Sequence, residues 1–380
     1  MAIDHYYVDY SGGDDTGAGT KGDPWKTLQY AYTNASTPTN VGQFNVKDSA
    51  AQILTAKLTS PSWAAGDKLC VTKGYTTDED DGGIGEIDGD ATYQCLEPGD
   101  GEYFFDLKIG NSGSANVIQG VWNSGGWKVC GCEIHTTTGD GIDCNNNRVI
   151  TIKGCNFNNI NGRGVDTNQG VNNKITHNYF ANGTNNFTQA IYASTAGNYV
   201  AWNIISIDEA SDGINYAPSS GDGSTIVEHN SVFSNGGTGK GIESGWTIQA
   251  THCEVLSNIV AGFSGAGGVG IEYAGSDRAM LIANNAVSDD CTIEYSQTGD
   301  LAYDASDNSN ETLTADPFKK SGADTFANRA SYFEPDDIGS LHGGGFPSAI
   351  RFDKGAVQHA DPAGGGGGLL RVGMSGGMFG

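Results

Sequence analysis

Between Gly126 and Asp304 the chain repeats itself roughly every 25 residues, and few folds tolerate a period of that length. A short apolar stretch ends in Cys or Asn and is followed by another apolar residue, as in Val129 to Ile134, Ile152 to Phe157 and Ile175 to Phe180. The key positions Cys132, Cys155, Asn178, Asn203, Asn230, Asn258 and Asn284 are separated by 23, 23, 25, 27, 28 and 26 residues. A second landmark keeps phase with the first: Gly141-Ile142-Asp143, Gly164-Val165-Asp166, Ala190-Ile191-Tyr192, Gly213-Ile214-Asn215, Gly241-Ile242-Glu243 and Gly270-Ile271-Glu272. One unit this small cannot bury its own apolar face, so neighbouring units must supply the core. The expectation is an all-β solenoid of about ten stacked rungs, each climbing the strand spacing of roughly 4.8 Å.

Composition agrees with many short strands joined by many turns. The 380 residues include 58 Gly and only 9 Pro, with 37% hydrophobic residues, too apolar and too patterned for a disordered chain. A net charge of −25 argues against nucleic-acid binding, which needs Lys and Arg to neutralise phosphates. Met1 to His5 holds no basic segment or apolar run, so no signal peptide is expected, and no apolar stretch is long enough to span a membrane. The eight cysteines form neither a CxxC pair nor a Cys/His metal pattern. Cys132 and Cys155 fall where later units carry Asn, so small stacked corner residues are expected there.

Taken in order, the chain opens with a strand at Tyr6 to Asp9, an acidic glycine loop at Gly12 to Gly17, and a short helix beginning at Pro24. Residues 32–62 read as an insertion, with Asp48 as N-cap of a helix over Ser49 to Leu58. Ala65 to Gly74 alternates as a strand, and Phe104 to Gly110 and Asn116 to Gly120 add two more. The run Asp78 to Gly83 reads as a solvated loop. Its spacing does not match an EF-hand, and a structural Ca²⁺ there is the minor alternative to having no cofactor.

Several of these stretches resemble right-handed parallel β-helix proteins of the pectin-lyase-like superfamily. The resemblance rests on Tyr7-Val8, Gly13-Asp14, Gly17, Thr20 and Pro24-Trp25-Lys26-Thr27-Leu28 at the start, and on Gly66-Asp67-Lys68-Leu69-Cys70-Val71 at a rung start. Ala315-Asp316-Pro317-Phe318 and Asp353-Lys354-Gly355-Ala356-Val357-Gln358 resemble its closing motifs. It implies a single-stranded β-helix with an N-terminal cap: cap and insertion over 1–65, solenoid over 66–358, and a glycine-rich tail over 359–380.

Many proteins of that superfamily cut acidic polysaccharides, yet the polygalacturonase motifs Asn-Thr-Asp, Gly-His-Gly and Arg-Ile-Lys are absent. Lyases of the group use acidic Ca²⁺ ligands with an Arg or Lys base, and no basic residue of the repeat zone is seen from sequence to face an acidic cluster. What remains is a column. In the second landmark Ile or Val points inward and the next residue outward, which stacks Asp143, Asp166, Tyr192, Asn215, Glu243 and Glu272. Asp143/Asp166 and Glu243/Glu272 are then candidate catalytic carboxylate pairs, roughly 5 Å apart as retaining glycosidases require. Tyr192, Asn215, Tyr216, Trp246 and Tyr273 are candidate glycan-binding residues. The competing reading is a polar solvent-facing column, or a groove that binds glycan or Ca²⁺ without cutting. His135, His177, His229 and His252 lie near the first landmark at differing offsets, which gives no metal row.

The tail is different in kind. Five glycines from Gly364 to Gly368 form a tether, followed by Leu369, Leu370, Val372, Met374, Met378 and Phe379, the chemistry of a docking peptide. Together with cytosolic synthesis, this favours a structural virion component of a tailed bacteriophage (capsid decoration, fibre or tail spike) anchored to other virion proteins. A host-surface polysaccharide is a second candidate partner. A homo-oligomer, with a trimer favoured, would have to associate through rung faces or tail. The alternatives are a polysaccharide lyase or glycosidase using the acidic column, and a bacterial surface or matrix protein.

Overall fold

The computed structural model describes residues 2–318 apart from 62–67, 122–125, 146–148, 168–169, 182–185, 196, 209, 218–223, 245–251, 275–279 and 299–309, together with 320, 327 and 333. Each circuit of the chain lays one strand into each of three parallel sheets. Sheet I has eleven strands, from Ile3–Val8 to Met280–Ala283, sheet II eleven, from Gln52–Ile53 to Glu311–Leu313, and sheet III ten, from Leu58–Thr59 to Ile293–Thr298. Every pairing between successive circuits is parallel, as in Val129 with Ile152 and Ile152 with Ile175.

The interior is three apolar stacks meeting along the axis. Phe104, Val129, Ile152, Ile175, Val200, Val227, Val255 and Ile282 point in from sheet I. Phe157, Phe180, Ile205, Val232, Val260 and Val287 do so from sheet II, with Phe157 and Phe180 stacked at 4.5 Å. β-Branched residues suit such columns because their stiff side chains pack on the pleated surface.

The turn from sheet I to sheet II explains the Cys/Asn landmark. Asn178, Asn203, Asn230, Asn258, Asn285 and Asn310 form a buried ladder. Each Oδ1 accepts from the backbone N–H of the ladder residue one rung earlier, at 2.9–3.1 Å from Cys155 N through Asn258 N, and Asn285 N–H extends the series to Asn310. Each Nδ2 donates to a sheet I carbonyl, for example Asn203 to Ile175 O at 2.8 Å. Cys155 fills the same role with a thiol, its Sγ donating to Val129 O at 3.5 Å. Buried backbone groups at a tight corner must be paired, and this ladder pairs them. In the rung after Asn258 the ladder member is Asn285, not Asn284: Asn284 holds the left-handed turn position at φ 57°, shared with Gly131, Gly154, His177, Trp202, His229 and Ser257.

Two expectations for the N-terminal region are corrected. The helix over Ser49 to Leu58 is not formed; that stretch gives the strands Gln52–Ile53 and Leu58–Thr59. Residues 32–62 are therefore not an insertion, because Val41–Lys47, Gln52–Ile53 and Leu58–Thr59 make the first full circuit. Phe104 to Gly110 likewise splits into Glu102–Phe105 and Leu107–Gly113 at the turn residue Asp106, φ 52°.

The cap is a strand, a loop and the helix Leu28–Asn34, N-capped by Thr27, whose Oγ1 accepts from Tyr30 N–H at 3.2 Å. Asp15 accepts from Lys26 N–H and Thr27 N–H, tying the acidic loop to the helix start. Tyr6 stacks between Trp25 and Phe44, covering the open end of the core. At the other end Phe318 and Phe333 pack on Phe233 against the outside of sheet II. Among the described residues no helix is long and apolar enough to cross a membrane.

Candidate functional site

Sheet III carries the second landmark, and its register is unbroken. Gln119, Asp143, Asp166, Tyr192, Asn215, Glu243, Glu272 and Ser296 are successive partners on adjacent strands. The glycine found in five of the six units is needed where sheets II and III converge; the third unit has Ala190. A Cβ on Gly241 would stand 2.3 Å from Val260 Cγ1, and one on Gly270 2.3 Å from Val287 Cγ1. The following Ile or Val enters the core and the next residue faces outward. Asp143, Asp166, Asn215, Glu243 and Glu272 are each 5–8% exposed, so the column is recessed rather than open.

A second column runs beside it, made of the residues preceding Gly141, Gly164, Ala190, Gly213 and Gly241: Asp140, Arg163, Gln189, Asp212 and Lys240. Arg163 pairs with Gln189 and Gln189 with Asp212 across the strands. Asp140 Oδ1 accepts from Arg163 N–H at 2.7 Å, and Asp212 Oδ1 from Lys240 N–H at 2.9 Å. Burial pushes both carboxyls above the ordinary aspartate value, against these backbone hydrogen bonds.

The two columns interlock through their cations. Arg163 Nη1 donates to Asp166 Oδ2 at 2.5 Å, its Nε donates to Gln189 Oε1 at 3.1 Å, and its guanidinium lies 3.9 Å over the Tyr192 ring. Lys240 Nζ bridges Glu243 and Glu272, at 3.0 Å from Glu272 Oε1. Asn215 Nδ2 donates to Glu243 Oε2 at 2.7 Å. Asp143 Oδ2 accepts from Gln119 at 2.9 Å and Asn116 at 3.2 Å. Burial favours a neutral Lys240 amine, but hydrogen bonds to Glu243 and Glu272 outweigh it and raise its pKa above the ordinary lysine value.

The four candidate carboxylates therefore share one outward line, each already engaged by a side-chain cation or amide. The sequence view that no basic residue faces an acidic cluster is corrected here, since both Arg163 and Lys240 do. Two stacking candidates are also corrected. Tyr216 is fully buried and Tyr273 is 7% exposed within the core, because each lies two residues beyond an inward Ile on the same side of its strand. Tyr192 is partly exposed, with the Arg163 guanidinium lying over its ring. Trp246 and the docking residues Leu369, Leu370, Val372, Met374, Met378 and Phe379 lie outside the described residues.

His177 and His229 share one turn position and stack on Trp202 from either side, at 6.2 and 4.2 Å. They form an aromatic column, correcting the view that their offsets differ. In the acidic run, Asp81 accepts from the backbone N–H of Thr76, Thr77, Asp78 and Gly83. Those bonds, that of Thr77 foremost, hold its carboxyl below the ordinary range. No group of three or more potential metal ligands occurs among the described residues.

Residues 116–287 match the family model described as a right handed beta helix region. The chain has the right-handed parallel β-helix fold. The structure titled pectate lyase Pel9A superposes with a TM-score of 0.56 at 14% identity, covering 95% of this chain and 98% of that one. XylC in complex with xylose gives a TM-score of 0.43 at 10% identity, over 79% of this chain and 86% of that one. The GH136 lacto-N-biosidase from Eubacterium ramulus gives 0.32 at 10% identity, over 81% and 67%. No curated protein sequence is significantly similar to the chain.

The second column was legible in principle. The residue before the landmark Gly or Ala is polar or charged in five consecutive units, from Asp140 to Lys240, a pattern hidden by reading only the outward residue that follows.

Proposed function

We propose that this β-helix binds a polysaccharide along the polar columns of sheet III without cleaving it. The observation that carries the reading is Lys240 bridging Glu243 and Glu272. A lyase base must be neutral to take a proton, whereas this lysine is held charged. A glycosidase pair needs one carboxyl to protonate the leaving oxygen and the other to attack, whereas these two share a cation. Pre-ordered carboxylates, amides and a guanidinium suit recognition of sugar hydroxyls, because no side-chain entropy remains to be lost on binding. The full-length likeness to a pectate lyase supports a polysaccharide as the ligand class.

The test is affinity electrophoresis against a panel of plant and bacterial polysaccharides, with product release followed in parallel. The intact protein should be retarded by at least one glycan without shortening it. Glu243→Gln with Asn215→Ala should weaken that binding roughly tenfold, as expected for losing a charge-assisted hydrogen bond. Product release abolished by Glu243→Gln would establish catalysis instead, and absence of retardation by any glycan would remove the reading altogether.

The tail favours a second, compatible role as a virion component, with the solenoid as display body and Leu369 to Phe379 as anchor. Support comes from the sequence alone: a pentaglycine tether ending in Leu, Met and Phe. Deleting residues 364–380 should leave a folded, β-rich protein that no longer joins its assembly. Normal incorporation of the truncated chain would sink the anchor.

A further inference from the structure

The outer face of sheet I differs from the rest of this acidic protein. On the strands Glu102–Phe105, Lys128–Cys130, Thr151–Lys153, Lys174–Thr176 and Tyr199–Ala201, the central residue of each register points into the core. The outward positions form two columns: Tyr103, Lys128, Thr151, Lys174 and Tyr199 in one, Phe105, Cys130, Lys153, Thr176 and Ala201 in the other. Across these five rungs the face holds three lysines and no carboxylate, in a chain whose net charge is −25.

Ion pairs separate these lysines from most of the others. Lys21, Lys47, Lys57, Lys73, Lys108, Lys240 and Lys320 all reach a carboxylate within 4.0 Å. Lys128, Lys153 and Lys174 reach none among the described residues; Lys26, over the Tyr10 ring, and Lys68, which donates to Thr39 O, also reach none but lie outside these five rungs. Lys153 and Lys174 are exposed, and Lys128 lies 4.6 Å over the Tyr103 ring. The nearest acidic groups are occupied elsewhere. Asp106, at the turn after Phe105, faces Lys73 at 3.6 Å, and Glu228, beyond Tyr199, accepts the Tyr199 hydroxyl at 2.5 Å.

We infer that this face of sheet I is a binding surface for a linear acidic polysaccharide, distinct from the sheet III columns. The lysines occupy three successive rungs and alternate between the two outward columns, so cations recur on alternate sides every ~4.8 Å. An extended glycan chain whose successive residues are flipped presents its carboxylates or sulfates on alternate edges in the same way. Tyr103 and Tyr199 close the two ends of the stripe with aromatic side chains, which suit the apolar face of a pyranose ring. A nucleic acid is the less favoured polyanion. Three lysines neutralise few phosphates, and the remaining surface of this protein repels a duplex.

The experiment is affinity electrophoresis of the full chain in gels containing polygalacturonate, alginate, dextran sulfate or neutral xylan, alongside single- and double-stranded DNA shift assays. The probes are applied to the parent, to Lys128→Gln/Lys153→Gln/Lys174→Gln, to Lys21→Gln as a charge-matched control away from both surfaces, and to Glu243→Gln. The parent should be retarded by at least one acidic glycan, less so as salt is raised, and the triple variant should lose at least tenfold in apparent affinity. Lys21→Gln, which removes a cation from the N-terminal loop region where Lys21 pairs with Asp78, should leave that retardation unchanged. Circular dichroism of the triple variant checks that the solenoid is intact, as expected for substitutions of outward side chains. Equal retardation of parent and triple variant, no retardation by any acidic glycan, or preferential binding of DNA would each overturn the inference. Loss of acidic-glycan binding in Glu243→Gln alone would transfer the site to sheet III.

Discussion

At the residue scale, the Asn ladder shows what a corner in a β-helix demands. Asn230 accepts from Asn203 N–H at 3.0 Å and donates to Val200 O at 3.0 Å, with no water to substitute at a site that is fully buried. Replacing it by Ala strands several buried backbone groups, so Asn230→Ala should cost roughly 2–4 kcal/mol, read as a lowered denaturant midpoint. Cys155 makes weaker thiol contacts, to Val129 O and Lys153 O. Cys155→Asn should extend the ladder by one rung and leave the midpoint unchanged or higher, and a clear loss of stability would show that the thiol is not a surrogate amide. The alternation of Cys and Asn was legible in the sequence because the period forces equivalence. The choice between Asn284 and Asn285 was not, since two adjacent Asn residues satisfy the same pattern and only the turn geometry separates them. The same limit applied to Tyr216 and Tyr273. Their type suggested sugar stacking, while the parity of their strands places them in the core.

At the element scale, the repeat zone was read well and the first rung poorly, for one physical reason. Strands of two or three residues separated by sharp corners bring apolar residues inward at spacings near four. Leu54 and Leu58 are buried in this way, and that spacing mimics a helical stripe. Where strands are longer and the period recurs, as from Val129 onward, the corner positions identify themselves by repetition. The aromatic column of His177, Trp202 and His229 and the lysine stripe of sheet I were hidden for a related reason. Their members stand 21 to 27 residues apart in sequence and meet only when the chain winds. Arg163 and Lys240 are the instructive case for the candidate site: each lies three residues before its carboxylate partner, across a glycine that keeps both on the outer surface.

At the scale of the whole molecule, the solenoid carries buried titratable groups whose effects on stability oppose each other. Burial, partly offset by hydrogen bonds from Ser60 and Gly99, raises the Glu102 carboxyl from 4.5 to about 7. A raised acid binds more protons folded than unfolded, so its contribution is full below pH 4.5 and is lost as pH rises through about 7. Burial lowers His177 and His229 to about 4 from 6.5. Their unfolded forms bind more protons, so their contribution is present above pH 6.5 and is lost as pH falls through about 4. Each shift corresponds to a term on the order of 3 kcal/mol. Two histidines against one glutamate predict that their combined contribution rises from pH 4 to 6.5. Differences between variant and parent isolate each part, whatever the other carboxylates contribute. Glu102→Gln should steepen the rise between pH 4.5 and 6.5. His177→Asn/His229→Asn keeps a residue that tolerates the left-handed turn, as Asn284 does at the same position. That variant should lose the rise and leave the falling Glu102 contribution exposed. Urea midpoints of the three proteins across this range decide the matter: parallel profiles would mean that none of these groups changes its protonation on folding.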